Sequence, residues 1–488
     1  MRILVNEIVN KEGEKVELMG WVSVRRDHGK IIFIDLRDRS GICQLVFVGK
    51  EIFEKASQLR SEWVIRVAGQ VNRRPANMVN KDLATGEYEV LVSELEVLNE
   101  AVTPPFEIGT TGMEVGEEVR MKYRYVDLRR QRMQKNIRNR DKAIAFMRHF
   151  LRDQDFVEVE TPILSKSTPE GARDYLVPSR LYHGKFYALP QSPQQYKQLL
   201  MAAGMERYFQ VARCFRDEDT RGDRQPEFTQ LDLEMSFVKE EDVMNLVESM
   251  LIDLVKSLYL KKRIQQVPFP RITYKEALEK YGNDRPDVRE DKNDPNLLAF
   301  CWVVDFPFFE RVDLKYQRAN PEFAEGEKSG SISSPQTSEG VWTFTHNPFS
   351  SPKSEHMEWL MEKKNVGNIL TTQYDIVLNG FEVGGGSIRN HRPEALKKVF
   401  EIMGFEDKKI KEDFGHMLEA LGSGTPPHGG IAPGIDRLMM ILENEPNIRE
   451  VIAFPKTGDA RDLMMDAPSE VSKEQLKELG LEIKKGKK

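Results

Sequence analysis

A charged stretch between two strand-like segments has the residue types best suited to chemistry. Residues 215–232 read FRDEDTRGDRQPEFTQLD, in which Arg216 leads an acidic run and a polar loop follows. The alternating residues after that loop predict a strand. Two rigid strands joined by a charged loop suit nucleotide binding, because the strands aim side chains and the loop can close over a ligand. Taken alone, the pattern also fits an exposed charged hairpin.

A glycine-rich turn before a helix is the second candidate. Residues 429–438 read GGIAPGIDRL, and Arg437 falls in the first turn of the predicted helix. Glycines let a backbone approach a ligand closely, and a helix N-terminus favours anions. A cation is unfavourable at this end of the helix macrodipole, so Arg437 indicates a bound anion. The alternative is an ordinary turn from loop to helix.

The third candidate is residues 375–389, DIVLNGFEVGGGSIR. Asp375 and Glu382 could hold a hard cation such as Mg²⁺ together with phosphate oxygens. The glycines that follow would let the backbone pack closely against a flat ligand. Without other evidence, two carboxylates in a strand pair are more often solvated.

The elements that must position these residues follow from periodicity and turn signals. Five short strands within residues 1–102 predict an OB-fold β-barrel. Residues 103–135, which contain a Pro-Pro pair, are predicted to form a linker or hinge before a larger domain, 136–488. Residues 374–391 are strand-like, and the polar segment 311–342 is predicted to be a surface insertion. Helices are predicted at 119–154, 240–258, 393–403, 408–421 and 433–443, the final one being the last helix.

Composition limits the classes of protein that remain. The 488 residues predict two or three domains, and a net charge of -6 gives no general affinity for nucleic acid. The cysteines, Cys43, Cys214 and Cys301, fit neither a zinc spacing nor a disulfide framework. No run of about 18 apolar residues predicts a membrane span. The charged N-terminus does not fit a secretory signal, so we expect a cytoplasmic protein.

Together these patterns resemble the class II aminoacyl-tRNA synthetases. Residues 212–234 and 429–442 are similar to motifs 2 and 3, and 156–162, FVEVETP, resembles motif 1 with its dimer-forming proline. STPEGARDY (167–175), QSPQQYKQL (191–199) and GFEVGGGSIR (380–389) most closely resemble the bacterial aspartyl-tRNA synthetase family. The resemblance implies a homodimer whose catalytic domain has a mixed, mostly antiparallel sheet flanked by helices. Bacterial members carry an extra domain between motifs 2 and 3, and the short connection from 287 to 302 implies that it is missing.

The chemistry implied by the resemblance is attack of the aspartate α-carboxylate on the α-phosphorus of ATP, followed by transfer to tRNA. It requires ATP and Mg²⁺ but neither zinc nor an organic prosthetic group. The positions matching catalytic residues are Arg216, Arg437 and Glu382. Those matching ATP-binding residues are Arg216, Asp217, Glu218, Gln225, Phe228, Glu382, Gly434, Ile435, Asp436 and Arg437. Asp375 and Glu382 match metal ligands.

Amino acid selection is implied to depend on charge. Lys197 and Arg389 match the cations that read the side-chain carboxylate, and asparagine would leave them unpaired. Without the family context, a lysine such as Lys197 is more often on a solvated helix face. Asn347 stands where many relatives have a second histidine. The implied aspartate-binding residues are Glu170, Gln194, Gln195, Tyr196, Lys197, Arg216, Asp232, His346 and Arg389.

The barrel is implied to read the anticodon of tRNA, because OB-folds bind single-stranded bases by stacking and hydrogen bonding. Phe33 would otherwise be expected in a core. His28, in a predicted loop at 25–30, replaces a frequent leucine and resembles enzymes that charge both tRNA-Asp and tRNA-Asn. Arg221 matches a contact to the tRNA acceptor end. The implied anticodon-reading positions are Arg25, Arg26, His28, Phe33, Gln44 and Glu89.

Other interpretations remain open at this point. A strictly discriminating tRNA-Asp enzyme differs only in tRNA choice. Asparaginyl- and lysyl-tRNA synthetases share the architecture, although Lys197 and Arg389 argue against a neutral or cationic side chain. A catalytically silent RNA-binding paralogue would be expected to lose Arg216 or Arg437, and both are present.

Overall fold

The computed structural model of this chain describes residues 1–167, 171–312 and 341–484. The chain divides into two compact units, Met1–Gln134 and Lys135–Lys488. The finer division into a barrel at 1–102, a linker at 103–135 and a domain at 136–488 stays a prediction. Glu170 and most of the predicted insertion, residues 313–340, lie outside the described residues.

A closed five-stranded barrel forms the first unit, with strand order β1-β2-β3-β5-β4. Alternate residues of its strands, such as Ile32, Ile34 and Leu36, fill the interior. The predicted OB-fold barrel is therefore confirmed. The strands, numbered along the chain, are β1 Lys15–His28, β2 Ile31–Asp38, β3 Gly41–Val48, β4 Val64–Arg73 and β5 Tyr88–Asn99.

The helix predicted over 119–154 is interrupted. Helices run over Glu117–Lys122, Arg124–Asp127 and Gln131–Arg152 instead. The carboxylate of Asp127 is fully buried and pairs with Arg120, Arg124 and Arg130. The prediction of one continuous helix was wrong. The three arginines form ion pairs with one buried carboxylate instead of lying along a solvated helix face. Barrel residues Lys50–Ala56 form a further short helix.

An eight-stranded sheet forms the centre of the second unit, in the order β12-β14-β17-β18-β19-β10-β9-β6. The β12–β14 and β6–β9 pairs are parallel and all other neighbours are antiparallel, which confirms the predicted mixed sheet. Its strands are β6 Val157–Glu158, β9 Arg207–Phe215, β10 Glu227–Ser236, β12 Arg271–Thr273, β14 Phe300–Val304, β17 Gln373–Leu378, β18 Phe381–Ile388 and β19 His428–Pro433.

Three small strand pairs lie outside this sheet. The last of them joins the two ends of the predicted polar insertion, since Arg311 pairs with Trp342. The pairs are β7 Leu176–Pro178 with β8 Phe186–Ala188, β11 Arg263–Ile264 with β13 Leu297–Leu298, and β15 Phe309–Val312 with β16 Val341–Phe344.

The helices predicted for the second unit are present, and the described residues contain further helices that were not among those predicted. The helix predicted as the last one, Ile435–Leu442, is followed by Lys473–Leu479. A capping box at Ser472 and Gln475 marks its start and was an available sequence signal. No helix among the described residues is both long and apolar enough to cross a membrane. The others are Gln194–Ala202, Glu240–Leu258, Tyr274–Tyr281, Met357–Glu362, Pro393–Ile402 and Asp407–Gly422, with 3₁₀ turns at Val5–Asn10, Ala76–Met78, Ser354–His356, Val366–Asn368 and Ile448–Glu450.

The main hydrophobic core lies against one face of the large sheet. Alternation along β10 directs Leu231 and Leu233 into this core, with residues of the helix Glu240–Leu258. Asp232 therefore points to the opposite face, because successive strand residues face opposite sides. One strand thus supplies both a core wall and the floor of a polar cavity.

Candidate functional site

A polar cavity of ≈360 Å³ lies over the opposite face of the large sheet in the second unit. Its walls come from β10, β18 and β19, from the loop between β9 and β10, and from the helix Gln194–Ala202. All three sequence candidates therefore contribute to one cavity.

The glycines of β18 and β19 are required by strand packing. A Cβ on Gly386 would lie 2.3 Å from the carbonyl oxygen of Gly430, and one on Gly430 would lie 2.0 Å from the carbonyl oxygen of Leu233. The sequence reasoning attributed the β18 glycines to the approach of a flat ligand. In the structure they let neighbouring strands come together, although Gly384 and Gly386 also line the cavity.

Four buried charged side chains form one network in the cavity. The Lys197 ammonium lies 2.8 Å from Asp232 Oδ2 and 3.4 Å from Glu234 Oε2. The Arg389 guanidinium donates two hydrogen bonds to the Glu234 carboxylate, at 2.8 and 3.1 Å. All four side chains are at most 2% exposed. Lys197 is thus far from the solvated helix face considered above, and we name these four residues the buried charge network.

Burial and charge act in opposite directions on the two carboxylates of the network. Burial raises the pKa of Asp232, and the positive charge of Lys197 only partly opposes it. Burial also acts to raise the pKa of Glu234, but the positive charges of Arg389 and Lys197 and the hydrogen bond from Arg389 together outweigh it, so the pKa of Glu234 is lowered. Glu234 is therefore the carboxylate that holds the two cations in place as an anion.

Three buried polar atoms at the cavity have no hydrogen-bond partner among the described residues. They are Asp232 Oδ1, Gln194 Nε2 and Arg216 Nε. Leaving a buried polar group unpaired costs about 1–3 kcal/mol, so such groups are rare in folded proteins. These three atoms therefore offer one hydrogen-bond acceptor and two donors to a polar ligand.

The side chain of Arg216 lies against an aromatic ring. The Arg216 guanidinium is 5.0 Å from the ring centroid of Phe228, and both residues line the cavity. Phe228 follows the charged loop on β10, which places a flat apolar face beside a planar cation. This arrangement can hold a ring and a phosphate or carboxylate close together.

The helix that begins at Ile435 presents a second arginine to the cavity. Arg437 donates to the carbonyl oxygens of Glu382, at 2.8 Å, and Asp223, at 3.2 Å. Its guanidinium also forms an ion pair with the Asp223 carboxylate at 3.2 Å. Arg437 lies in the first turn, as expected.

Asp375 and Glu382 lie on the paired strands β17 and β18. Burial raises the pKa of Asp375 well above its usual value, and the negative charge of Glu382 raises it further. Asp375 accepts a hydrogen bond from Gln373, and His346 Nε2 is 3.9 Å away. Two carboxylates that repel one another in this way suit a cation. No cluster of three or more His, Cys, Asp or Glu side chains able to hold a metal occurs in the described ranges.

Several predicted site residues line the cavity but use their polar groups elsewhere. The Gln225 amide pairs with the backbone of Lys456, at 2.7 and 3.1 Å. The Asp436 carboxylate accepts from Thr229 N at 2.9 Å and from Arg140. These two residues fix the loop and strand that carry the site. The other predicted residues on the wall are Gln194, Lys197, Arg216, Glu218, Phe228, Asp232, His346, Glu382, Arg389, Gly434 and Arg437.

The remaining predicted residues are not among those that line the cavity. Ile435 is packed in the core. Asp375 is paired with Gly385 across β17 and β18, and its carboxylate lies next to that glycine rather than on the cavity wall. Gln195 contacts His416, and the Tyr196 hydroxyl contacts Ser165. Asp217 and Arg221 also lie off the wall.

Sequence reasoning missed several residues that line the site. Glu234 is two positions after Asp232 on β10, so strand alternation would have placed it on the same face. Gln191, Asp223 and Gln373 also line the cavity, where the first two hold neighbouring segments or side chains. Their contacts join segments distant in sequence, which no local pattern reveals.

The predicted anticodon residues gather on the outer surface of the barrel. Arg26 forms two hydrogen bonds with Asp35, both 2.7 Å, and Gln44 donates to Glu89 at 2.8 Å. Phe33 lies outside the barrel core and meets the His28 ring edge to face at 5.7 Å. We name the four polar residues Arg26, Asp35, Gln44 and Glu89 the barrel-face network.

The 25–30 segment is not the loop that the sequence predicted. Arg25–His28 belong to β1, and a two-residue turn at 29–30 joins them to β2. Arg25 binds Asp27 and the carbonyl oxygens of Ser57 and Leu59. His28 is consequently held by strand pairing with Ile31.

Comparison with known proteins gives consistent results for both units. Residues 116–458 match a family model described as tRNA synthetases class II (D, K and N), and residues 16–98 match an OB-fold nucleic acid binding domain. An aspartate–tRNA(Asp/Asn) ligase of Rubrobacter xylanophilus is 42% identical, covering 96% of this chain and 95% of the relative. An aspartate–tRNA ligase of Staphylococcus saprophyticus is 40% identical, covering 96% and 97%. The asparaginyl-tRNA synthetase of Pyrococcus horikoshii has a similar fold, with a TM-score of 0.71, 23% identity and coverage of 94% and 98%.

Proposed function

This chain belongs to the class II tRNA synthetases of the aspartate, lysine and asparagine group, and on that premise we propose that it is an aspartate–tRNA ligase. It activates L-aspartate with ATP to aspartyl-adenylate, releasing pyrophosphate, and then transfers aspartate to the 3′ end of tRNA-Asp and of tRNA-Asn, releasing AMP. The observation that carries the proposal is the cavity that combines two buried cations with unpaired atoms of Asp232 and Arg216.

Aspartate fits the charges of this cavity. Lys197 and Arg389 attract its side-chain carboxylate, while the free Oδ1 of Asp232 accepts from its ammonium group. Arg216 offers its unpaired Nε–H to the α-carboxylate. Asparagine would leave buried cations facing a neutral amide, at a cost of about 1–3 kcal/mol or more. Gln194, with its free Nε2–H, completes the polar lining.

Activation needs positioning more than proton transfer. A carboxylate is already ionised at neutral pH, so the chain need not supply a general base. Arg216 bridges the α-carboxylate and the α-phosphate with a planar guanidinium, and Phe228 supports the adenine ring. Arg437 binds the γ-phosphate after exchanging its contact with Asp223. Stabilisation of the pentacovalent phosphorus by these cations supplies the rate enhancement.

Glu382 and Asp375 are the residues that would hold Mg²⁺ with ATP. The negative charge of Glu382 raises the pKa of Asp375, and a cation bound between the two carboxylates would relieve this repulsion. When bound, the ion neutralises phosphate charge. Glu382 lies on the cavity wall and also gives its backbone carbonyl to Arg437, which ties the metal site to the phosphate site.

The barrel binds the anticodon through its outer surface. Phe33 offers a half-buried ring for stacking, and the barrel-face network offers groups for base edges. His28 beside Phe33 supports the acceptance of both tRNAs. We further propose a cytoplasmic homodimer formed through motif 1. We also propose that the bacterial domain between motifs 2 and 3 is absent, which the 596-position alignment of this 488-residue chain supports.

A charging matrix tests substrate choice. Labelled aspartate and asparagine would each be offered with purified tRNA-Asp and tRNA-Asn. We expect aspartate on both tRNAs, and we expect His28→Leu to reduce charging of tRNA-Asn more than that of tRNA-Asp. Aspartate on tRNA-Asp alone would overturn the relaxed tRNA choice, and asparagine transfer would overturn the assignment to aspartate.

The role of Arg216 is tested by ATP–pyrophosphate exchange without tRNA. Arg216→Ala should reduce exchange to background, because it removes the guanidinium that lies 5.0 Å from the Phe228 ring and carries an unpaired Nε. Arg213→Ala is the matched control, since Arg213 is an exposed arginine of the same hairpin that pairs with Glu227. Exchange retained by Arg216→Ala would contradict the assigned role.

A further inference from the structure

Gln191 is a cavity residue to which the family motifs assign no role here, and its amide is fully engaged. Its Oε1 accepts from Ala172 N at 2.9 Å, and its Nε2 donates to Ala172 O at 2.7 Å. Nε2 also donates to Asp174 Oδ1 at 2.6 Å. Gln191 is only 4% exposed. One side chain thus satisfies both backbone polar groups of Ala172, as a neighbouring strand would.

The segment held by Gln191, residues 172–174, also contacts the motif 2 hairpin; we name it the strap. Arg173 O accepts from Asp217 N at 2.9 Å, and Arg173 Nε donates to Asp217 O at 3.1 Å. Asp217 directly follows Arg216. The strap is therefore bonded to Gln191 on one side and to the residue next to Arg216 on the other.

Backbone hydrogen bonds complete a three-segment arrangement around Gln191. Leu189 N donates to Tyr175 O, and Phe215 N donates to Pro190 O, each at 2.9 Å. On the far side of the strap, Ser167 Oγ donates to Asp174 Oδ2 at 2.6 Å. The chain around Gln191 consequently fixes both the strap and the strand end that carries Arg216.

We propose that Gln191 is a positioning residue for aspartate: it holds the strap as a wall of the amino acid site and sets the placement of Arg216 through Asp217. This inference rests on the proposed function. Ala172 and Gly171 line the cavity with Gln194 and Lys197, whereas Arg437 is held by contacts that the strap does not share. Arg216 also faces the α-phosphate, but ATP keeps its contacts with Arg437 and Phe228, whereas aspartate loses both the strap wall and the placement of Arg216. Loss of Gln191 therefore acts on aspartate binding more than on ATP binding.

The first test compares Gln191→Ala with wild type in ATP–pyrophosphate exchange. We expect KM for aspartate to rise on the order of tenfold, as for the loss of hydrogen bonds that position a charged contact. KM for ATP should change less than about threefold, because the Arg437 contacts remain. Equal KM values for aspartate in the two proteins would overturn the proposal, as would a parallel rise of both KM values.

A control variant separates positioning from the general loss of a paired amide. Gln265 is half-buried and makes the same kind of paired contact, donating to Val288 O at 3.0 Å and accepting from Glu290 N at 2.9 Å, but it does not line the cavity. Gln265→Ala should lower stability and leave KM for aspartate unchanged. A comparable rise of KM in this variant would show that Gln191 has only a structural role.

A reciprocal exchange keeps the proposal testable if Gln191→Ala does not fold. Gln191→Glu preserves shape but loses both donated hydrogen bonds and faces Asp174 with like charge. Adding Asp174→Asn lets the new amide donate to the new carboxylate, which restores one bond with reversed direction. KM for aspartate should be high in Gln191→Glu and fall toward wild type in the double variant. Absence of this rescue would overturn the proposal.

The wild-type measurement distinguishes the two levels of inference. Wild-type protein without aspartate-dependent exchange would overturn the proposed function itself. Wild-type activity combined with no effect of the Gln191 variants would overturn only the role of Gln191.

Discussion

The buried charge network of the cavity and the barrel-face network are built in similar ways but lie in opposite environments. Both bring side chains of opposite charge together from different elements: Arg26 and Asp35 lie on the neighbouring strands β1 and β2, whereas Lys197 lies on the helix Gln194–Ala202 and Glu234 on β10. Lys197 and Glu234 are at most 1% exposed, whereas Arg26 and Asp35 are 40% and 16% exposed. The same pairing chemistry is therefore set in two different dielectric environments.

The difference explains what each network is suited to recognise. A buried pair loses its hydration, so removing one partner leaves an uncompensated charge that costs about 3–5 kcal/mol. An exposed pair contributes about 0–1 kcal/mol, because water can replace either partner. The cavity can thus discriminate one small charged ligand, while the barrel face can exchange its internal partners for bases and phosphates at little cost.

The largest expected effect is that of Glu234→Gln. It removes the anion shared by Lys197 and Arg389 and should lower the free energy of unfolding by about 3–5 kcal/mol. Denaturant unfolding of wild type and variant at neutral pH measures this change. KM for aspartate should rise as well, because the two cations lose their fixed positions. A loss below about 1 kcal/mol would show that the buried network behaves like a surface pair.

A smaller effect is expected from Phe33→Ala on the barrel. Loss of one base–aromatic stack costs about 1–3 kcal/mol, so affinity for tRNA should fall roughly 5- to 150-fold. ATP–pyrophosphate exchange should stay at the wild-type rate, because the ring is far from the adenylate chemistry in sequence and lies in the other unit. Filter binding with labelled tRNA provides the measurement.

The control for Phe33→Ala is Val48→Ala, which removes an exposed apolar side chain from β3 of the same barrel. If both variants lose tRNA affinity equally, stacking on Phe33 is not the cause. Unchanged affinity in Phe33→Ala would place anticodon reading elsewhere.

Asp35→Asn tests the exposed half of the comparison directly. It breaks the bidentate pair with Arg26, and the free energy of unfolding should fall by less than about 1 kcal/mol. Unfolding under the conditions used for Glu234→Gln makes the two values comparable. A loss as large as that of Glu234→Gln would mean that exposure does not control the energetic difference.

The smallest effect concerns an ion pair in the second unit away from the cavity. Hydrogen bonds from Lys363 and Lys398 lower the pKa of Glu401 from 4.5 to about 2. Because the folded-state pKa lies below the unfolded value, this stabilisation is present above pH 4.5 and is lost as the pH falls toward 2. Glu401→Gln should therefore flatten the dependence of stability on pH in that window.

Melting temperatures of wild type and Glu401→Gln at several pH values between about 5 and 2 check this prediction. Parallel curves for the two proteins would show that Glu401 contributes nothing to the acid sensitivity of folding.

Features that depend on local pattern were predictable from the sequence. The barrel, the motif 2 hairpin and the helix carrying Arg437 follow from alternation, turn residues and helix signals, and the structure confirms them. Lys197 and Arg389 entered through the family resemblance, and the structure brings them together through Glu234.

Features that depend on contacts between distant segments were not predictable. The pairing of Gln191 with Ala172, and that of Gln225 with Lys456, join residues far apart in the chain through amides that look ordinary in sequence. The helix break near Asp127 likewise reflects ion pairs to a buried carboxylate rather than a local breaker. Glu234 differs from these, because strand alternation alone places it on the same face of β10 as Asp232.

The close approach of β10, β18 and β19 also has a consequence for how this gene can vary. Every single-nucleotide missense change of a glycine codon introduces a side chain, and any side chain begins with the Cβ that Gly386 and Gly430 cannot accommodate. These two codons should therefore tolerate only synonymous change. In saturation mutagenesis scored by growth, no substitution at Gly386 or Gly430 should be tolerated, as for Arg216. At the two glycines the cause would be the spacing between strands, whereas at Arg216 it would be the loss of substrate binding.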